Sequence, residues 1–459
     1  MDKQQPSSVR LLICGFEQPH LRKAVAEFLE EHPFKHVGLL ARHNYLGESA
    51  QSFLCTRDTR KQSHFPDHTF SDIPPRGIIE TMIPIETEVL KMMDRMFRSP
   101  FKPRQYEFRK RYYLSQLALA YHFVTKHQYN RVIFSNIPHN SFNFILFGLC
   151  KALKIETSYF YQLQIKDSFV HAEEISETFD SLKLPSSAYQ EETPPLPEHF
   201  ENEIAQRCGA TPPFYLNPKR SPFSERLKLK LKKAFRVQTY TYPIYSFSSW
   251  FAYQRIPKSS PAPDEKFIYF ALHMQPEATT SPMGGVFVDQ YYVILLFARN
   301  LPEGVTLVVK EHPMQELWQR TPDFYNLLKA EPNVKFVSLK ENSFGLIERC
   351  LAVATITGTV GWEALFLDKP VIVFGEIYYK NLPGVIIPKD NESLSAALQQ
   401  IVDGEFQTCR LEDIRVFLHH AQRLCYTGVI DDDYFEDSLL SPEENQQVVK
   451  QALTDQLIP

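Results

Sequence analysis

Short apolar runs that stop on small or polar residues recur along this chain, and stretches of helical periodicity separate them. Val9-Arg10-Leu11-Leu12-Ile13-Cys14-Gly15 is the first such run. Its length is that of a buried strand and falls short of a helix. Residues 20–32 then place Leu21, Ala24, Val25, Phe28 and Leu29 at helical spacing. Residues 37–41 predict a second strand, and 42–76 read as polar and turn-rich. Helical patterns follow over 86–97 and 105–125. Residues 131–135 predict a strand, 136–140 a loop, 142–153 an apolar helix and 155–161 a closing strand. Alternation of this kind implies a parallel sheet with helices on both faces.

The pattern returns in the second half. Lys266-Phe267-Ile268-Tyr269-Phe270-Ala271-Leu272 predicts a strand, 286–299 a helix, and 305–310, 334–338, 351–356 and 370–375 further strands. Residues 172–262 break the alternation with Pro194-Pro195-Leu196-Pro197 and Thr211-Pro212-Pro213, which are linker-like. Within them, 219–236 holds eight basic residues and one acid, Glu225, with Leu227, Leu231, Ala234 and Phe235 on one helical face. The expected fold class is α/β, as two Rossmann-like doubly wound domains facing each other across a cleft. A chain of 459 residues has room for two or three domains. The expected boundaries are 1–175 for the first domain, 176–262 for a linker or insertion, 263–425 for the second domain and 426–459 for a helical tail.

Composition narrows the classes. A net charge of -4 and a pI near 6.4 argue against a nucleic-acid binder. No stretch approaches the ~20 apolar residues that span a bilayer. Met1-Asp2-Lys3-Gln4-Gln5 lacks the apolar core of a signal peptide. Seven scattered cysteines without C-x-x-C spacing argue against a disulfide framework or a zinc ribbon, and suit a reduced cytosolic compartment. Glycine is sparse, which disfavours a glycine-rich phosphate cradle.

In open α/β sheets ligands bind at the carboxyl ends of strands, so residues just after each strand are the candidates. Lys310-Glu311-His312-Pro313 follows one strand. His312 would donate to a phosphate or sugar oxygen, Lys310 would offset negative charge, and Pro313 fixes the turn. The competing reading is a histidine that only organises the loop. Thr355-Ile356-Thr357-Gly358-Thr359 turns another strand into a helix, where N–H groups and the Thr357 and Thr359 hydroxyls suit an anion. Glu363 would accept from a ribose hydroxyl pair, or would merely complement the helix dipole. Gly375-Glu376-Ile377-Tyr378-Tyr379 is a third loop at that edge.

The blocks Gln275-Pro276-Glu277, Asp289-Gln290, Lys310-Glu311-His312-Pro313 and 357–365 with Lys369-Pro370-Val371 occur in that order. Together they resemble the capsule polysaccharide biosynthesis family, which includes the GT-B-type β-Kdo transferases of bacterial capsule linkers. The His-Pro and hydroxyl blocks are also similar to those of bacterial sialyl- and polysialyltransferases, which use CMP-activated sugars. The resemblance runs from about Phe267 to Tyr379. It implies a glycosyltransferase of surface or capsular polysaccharide assembly, with its nucleotide-sugar donor, expected to be CMP-activated, on the second domain. His312 would touch the nucleotide, and Thr357, Gly358 and Thr359 its phosphate. This chain has Thr-Gly-Thr where the sialyltransferase block has two adjacent serines. A glycan or glycolipid acceptor would lie on the first domain. No Asp-x-Asp stands in a fitting context, so no metal is expected, and no cofactor beyond the nucleotide-sugar co-substrate.

His139 ends the strand–loop Phe134-Ser135-Asn136-Ile137-Pro138-His139 and would take the proton from an acceptor hydroxyl, or would cap the helix that follows. Should configuration be retained, Asp167 and Glu277 are the candidate carboxylate nucleophiles, against a reading as ordinary surface acids. Tyr161, Gln162, His273 and Gln275 would line the same cleft. The basic stretch 219–236 and the cluster Arg98, Lys102, Arg104, Arg109, Lys110 and Arg111 suit an anionic membrane surface or glycan, or are solvated faces. Asp431-Asp432-Asp433 reads as a solvated loop. The expected location is the cytoplasm, with peripheral contact at the inner face of the membrane. Two other functions fit the same pattern: an isomerase like the UDP-N-acetylglucosamine 2-epimerases, and a non-catalytic scaffold of a capsule assembly complex.

Overall fold

The computed structural model describes residues 6–60, 73–96, 105–185, 188, 195–208, 242–275, 277, 279–315 and 320–458. The chain divides into two units, one of Met1–Met96, Pro103–Lys183 and His419–Pro459, the other of Phe97–Lys102 and Leu184–Leu418.

In the first unit β1 (Arg10–Cys14), β2 (His36–Ala41), β3 (Ser52–Cys55), β4 (Arg131–Phe134) and β5 (Glu156–Gln162) run parallel in the order β3-β2-β1-β4-β5. β6 (Ser168–Ala172) returns antiparallel to β5, and the two-residue strand Tyr426–Thr427 pairs antiparallel with β6. Both sheet faces are covered. Leu11, Ile13 and Leu39 pack with Val449 and Leu453 on one side. Phe134 meets Phe147 on the other, with ring centroids 6.3 Å apart.

The second unit has β7 (Lys266–Ala271), β8 (Val305–Lys310), β9 (Val334–Phe336), β10 (Ala352–Thr355), β11 (Val371–Val373) and β12 (Val385–Ile386). All are parallel, in the order β9-β8-β7-β10-β11-β12. Ile268, Phe270, Leu307, Val309, Ala354 and Ile372 face one core. Each sheet reverses its strand order beside its first strand, at β1/β4 and at β7/β10. The chain thus forms two doubly wound α/β units, and each reversal opens a crevice at diverging strand ends.

Three expectations shift. The segment 426–459 is not a separate tail. Its helix Pro442–Leu457 buries Val449, Ala452, Leu453 and Leu457 in the core of the first unit, so an amphipathic stripe and not a linker sequence decides where it goes. The stretch read as a linker supplies two helices, Glu198–Cys208 and Tyr242–Arg255, to the second unit, and the boundary falls after Lys183. β3 lies in the stretch read as turn-rich. It is an edge strand with only Ser52 buried, so its four residues need no apolar run.

Candidate functional site

The β7/β10 reversal brings two loops together. His273 stands two residues beyond β7, and Thr357 two residues beyond β10. His273 Nε2 accepts the Thr357 main-chain N–H at 3.1 Å and lies 3.4 Å from Thr355 Oγ1. Thr355 Oγ1 in turn accepts the Gly358 N–H at 2.9 Å. A Cβ on Gly358 would stand 2.6 Å from that hydroxyl oxygen and 3.1 Å from His273 Nε2, so only glycine fits so close a turn. The Thr357 hydroxyl donates to the Thr279 carbonyl at 2.6 Å, which anchors the turn to the loop after β7. Thr359 opens the helix Thr359–Leu365, with Gly358 at its cap.

His273 itself is clamped. Gln290 accepts its N–H at 2.8 Å and donates to its carbonyl at 3.1 Å. Asp289 caps the helix Gln290–Asn300. Burial, reinforced by His312 and Arg320, pushes the His273 imidazole down to about 3, so the ring is neutral. With Nε2 accepting, its proton sits on Nδ1, which is buried without a partner.

The loop after β8 joins the same assembly. His312 Nδ1 accepts the Met314 N–H at 3.2 Å, so in the neutral ring Nε2–H is the donor. Burial holds His312 below its ordinary value. His312 therefore offers a neutral N–H. Its N–H on the main chain donates to Glu311 at 2.8 Å. Glu311 is locked by Arg320 at 2.7 and 3.0 Å and by the Tyr325 hydroxyl at 2.9 Å. Arg320 Nη2 also donates to the His273 carbonyl at 2.8 Å. This buried pair ties the β8 end to the β7 end. Arg320 carried no sequence signal, because neither its pairing with Glu311 nor its bond to the distant His273 carbonyl follows from any local motif.

Lys310 is held at the end of β8 by the loop that carries Glu341 and Ser343. Its ammonium is buried and donates to the Glu341 carbonyl at 2.7 Å and the Ser343 hydroxyl at 2.6 Å, and burial lowers its pKa. Pro313 is exposed in the turn after His312. Glu277 accepts from the Thr279 hydroxyl at 2.9 Å and is half-buried, while Pro276 lies outside the described residues.

Glu363 sits beside Arg207 of the helix Glu198–Cys208, at 3.3 Å. Arg207 also pairs with Glu203 at 2.7 Å. Burial pushes the Glu363 carboxyl up to about 7, against the pull of Arg207 and with the help of Glu203. The loop 375–379 is largely a packing element: Tyr378 and Tyr379 are buried against Trp362.

In the first unit, His139 Nδ1 meets the Ile137 carbonyl at 2.9 Å, which leaves Nε2 as the basic nitrogen of the neutral ring. The helix cap is Asn140, which accepts the Asn143 N–H, so His139 is not the cap. At the same sheet edge, Glu17 pairs with Arg42 at 3.0 Å and Asn136 donates to Asp431 at 2.6 Å. Asp431 thus holds a loop and is not simply solvated. Asp167 is buried in the hairpin turn between β5 and β6, with φ +50°, and accepts the Leu439 N–H at 3.1 Å. That contact anchors the C-terminal segment to the turn. Gln162 bonds Ser168 and Ile430, and Tyr161 packs edge-on to Phe179. Arg109 and Lys110 are paired with Asp94 and Glu86. Arg98, Lys102, Arg104 and the stretch 219–236 lie outside the described residues.

Fold and site define an α/β protein of two doubly wound units with a switch-point crevice in each. Residues 280–399 match the family described as capsule polysaccharide biosynthesis protein, overlapping the stretch that carries the resemblance. The chain is 33% identical over 141 residues to Protein FixF of Sinorhizobium fredii, across 30% of this chain and 33% of that protein. It thus matches about a third of the length of this curated relative. Among solved structures, KpsC β-Kdo 2,7 transferase of Thermosulfurimonas dismutans is 15% identical, covering 72% of this chain and 88% of that one, with a TM-score of 0.31. UDP-GlcNAc 2-epimerase of Methanocaldococcus jannaschii is 11% identical, covering 86% and 92%, with a TM-score of 0.24. No helix among the described residues is long and apolar enough to cross a membrane.

Proposed function

We propose that this chain is a glycosyltransferase of surface or capsular polysaccharide assembly, taking its sugar from a nucleotide-activated donor bound at the β7/β10 crevice. The observation that carries this reading is the linkage, through His273, of the His312 loop and the Thr357-Gly358-Thr359 turn, both of which lie in the segment that matches the capsule family. Rupture of the bond between sugar and phosphate leaves charge on the departing nucleotide. The neutral His312 Nε2–H, on the loop beside the Thr357-Gly358-Thr359 turn, would meet that charge with a dipole already oriented. Lys310 supports the loop from behind. Glu363 is the group for the ribose hydroxyls, and it would need to be ionised there to accept two hydrogen bonds. His139, with Nε2 basic, is the proposed proton acceptor for the acceptor hydroxyl. Glu277 is the carboxylate proposed for a covalent step, should configuration be retained.

The donor in this reading is CMP-linked and Kdo- or sialic-acid-like. The acceptor is a glycan or glycolipid, with the protein in peripheral contact with an anionic membrane surface. The test offers CMP-Kdo and CMP-sialic acid with capsule-type acceptors and reads released CMP. Acceptor-dependent release is expected from the wild type and not from His312→Ala with an unchanged melting temperature. Wild-type turnover in that variant, or epimer formed from UDP-N-acetylglucosamine without an acceptor, would replace this reading.

A further inference from the structure

We propose that the outer face of the helix Tyr242–Arg255 docks onto an anionic lipid surface. The inner face of this helix is settled: Ala252 and Tyr253, with Ile256 just beyond, enter the core of the second unit, and the Ser249 hydroxyl donates to the Arg320 carbonyl at 2.8 Å. The outer face carries Phe247, Trp250 and Phe251 at i, i+3 and i+4, exposed by 63%, 43% and 40%. Their rings stack on one another, with centroids 5.8 and 6.1 Å from Phe247. The Arg255 guanidinium lies 4.0 Å from the Phe251 centroid. Large rings held together in water on an already folded helix mark a contact surface.

Charge decides what that surface meets. From 226 to 263 the chain has eight Lys and Arg and no Asp or Glu, although the whole chain carries -4. Trp and Phe at the boundary of a cationic segment form the composition that partitions into a lipid interface, rings in the headgroup–acyl boundary and cations toward the phosphates. Arg255 serves both ends of that arrangement, its stem on the ring and its guanidinium outward. The proposal names the face for the membrane contact in the reading above, but it rests on exposure and charge and needs no donor.

The test uses the full chain with vesicles of phosphatidylcholine alone and of phosphatidylcholine with phosphatidylglycerol, read by co-sedimentation. Binding to the anionic vesicles is expected, with loss as salt rises. Phe247→Ser/Trp250→Ser/Phe251→Ser should weaken it by at least about tenfold, and the corresponding triple Leu variant should retain it. Brominated lipid should quench the wild type, and Trp250→Phe should lose that quenching while still binding. Equal binding to both vesicle types, or undiminished binding by the triple Ser variant at an unchanged melting temperature, would overturn the proposal. A dimer that the triple Ser variant dissolves would also overturn it, by assigning the face to a second copy of the chain. Transfer activity is not read in any arm, so failure here leaves the glycosyltransferase reading standing, and the reverse.

Discussion

The imidazole of His273 accepts the main-chain N–H of Thr357 at 3.1 Å across the point where the second sheet reverses its strand order. One neutral side chain thereby fixes the shape of the turn that runs into the helix Thr359–Leu365. It does so from the neighbouring strand, and Gln290 and Arg320 hold its own main chain in place. The turn is therefore built before any ligand arrives.

Replacing His273 by Leu leaves a buried N–H without an acceptor. An expected cost of about 1–3 kcal/mol should appear in urea unfolding. Because the folded pKa is depressed to about 3, the contribution of this ring is fully present above its ordinary value of 6.5 and is lost as pH falls toward 3. His273→Leu should remove that part of the acid sensitivity, and an unchanged profile would contradict the role.

Arg320 and Glu311 are almost fully buried and paired at 2.7 Å. Arg320→Met strands the carboxylate, so destabilisation of about 3–5 kcal/mol is expected. Arg320→Met/Glu311→Gln should recover part of this loss, because the double variant strands no charge. A double variant worse than the single one would show that the pair acts in some other way.

Glu363 gives the opposite pH slope. Its folded pKa, about 7, lies above its ordinary 4.5, so the folded state holds the proton between those values. Stability from this group declines as pH rises from 4.5 to 7, by an amount on the order of 1–3 kcal/mol. Glu363→Gln should flatten that decline in denaturant titrations at pH 5 and 7.5. A slope identical to the wild type would place the proton elsewhere.

Ending the chain after Ser441 removes Val449, Ala452, Leu453 and Leu457 from the core of the first unit. Each large apolar side chain contributes about 1.5–3 kcal/mol, against a total stability of ~5–15 kcal/mol. The truncated chain should lose protease resistance in the first unit. A cooperative melt indistinguishable from the full chain would contradict the placement of this helix.

The doubly wound fold was legible because its strands are buried on both faces and read as apolar runs, as at 305–309 and 351–356. β3 and β12 were not, since edge strands of four and two residues need no such run. His312 and Thr357 were visible as strand-end residues. His273 was visible in the same way, but its hydrogen bond to the Thr357 N–H depends on strand order, which no local pattern encodes. Lys310 and Asp167 look like functional charges in sequence, and their partners, the Glu341 carbonyl and the Leu439 N–H, come from distant parts of the chain that no local pattern points to. Arg207 was hidden for the same reason, inside a stretch whose prolines read as a linker.

Calorimetric titration of CMP, CDP, UDP and GDP into the wild type and into His312→Ala tests the nucleotide site most directly. The account predicts saturable binding of a cytidine nucleotide that weakens by at least about tenfold in the variant, roughly the 1.4 kcal/mol or more of one hydrogen bond to a charged group. No binding of any of the four nucleotides, or equal affinity in both proteins, would contradict it.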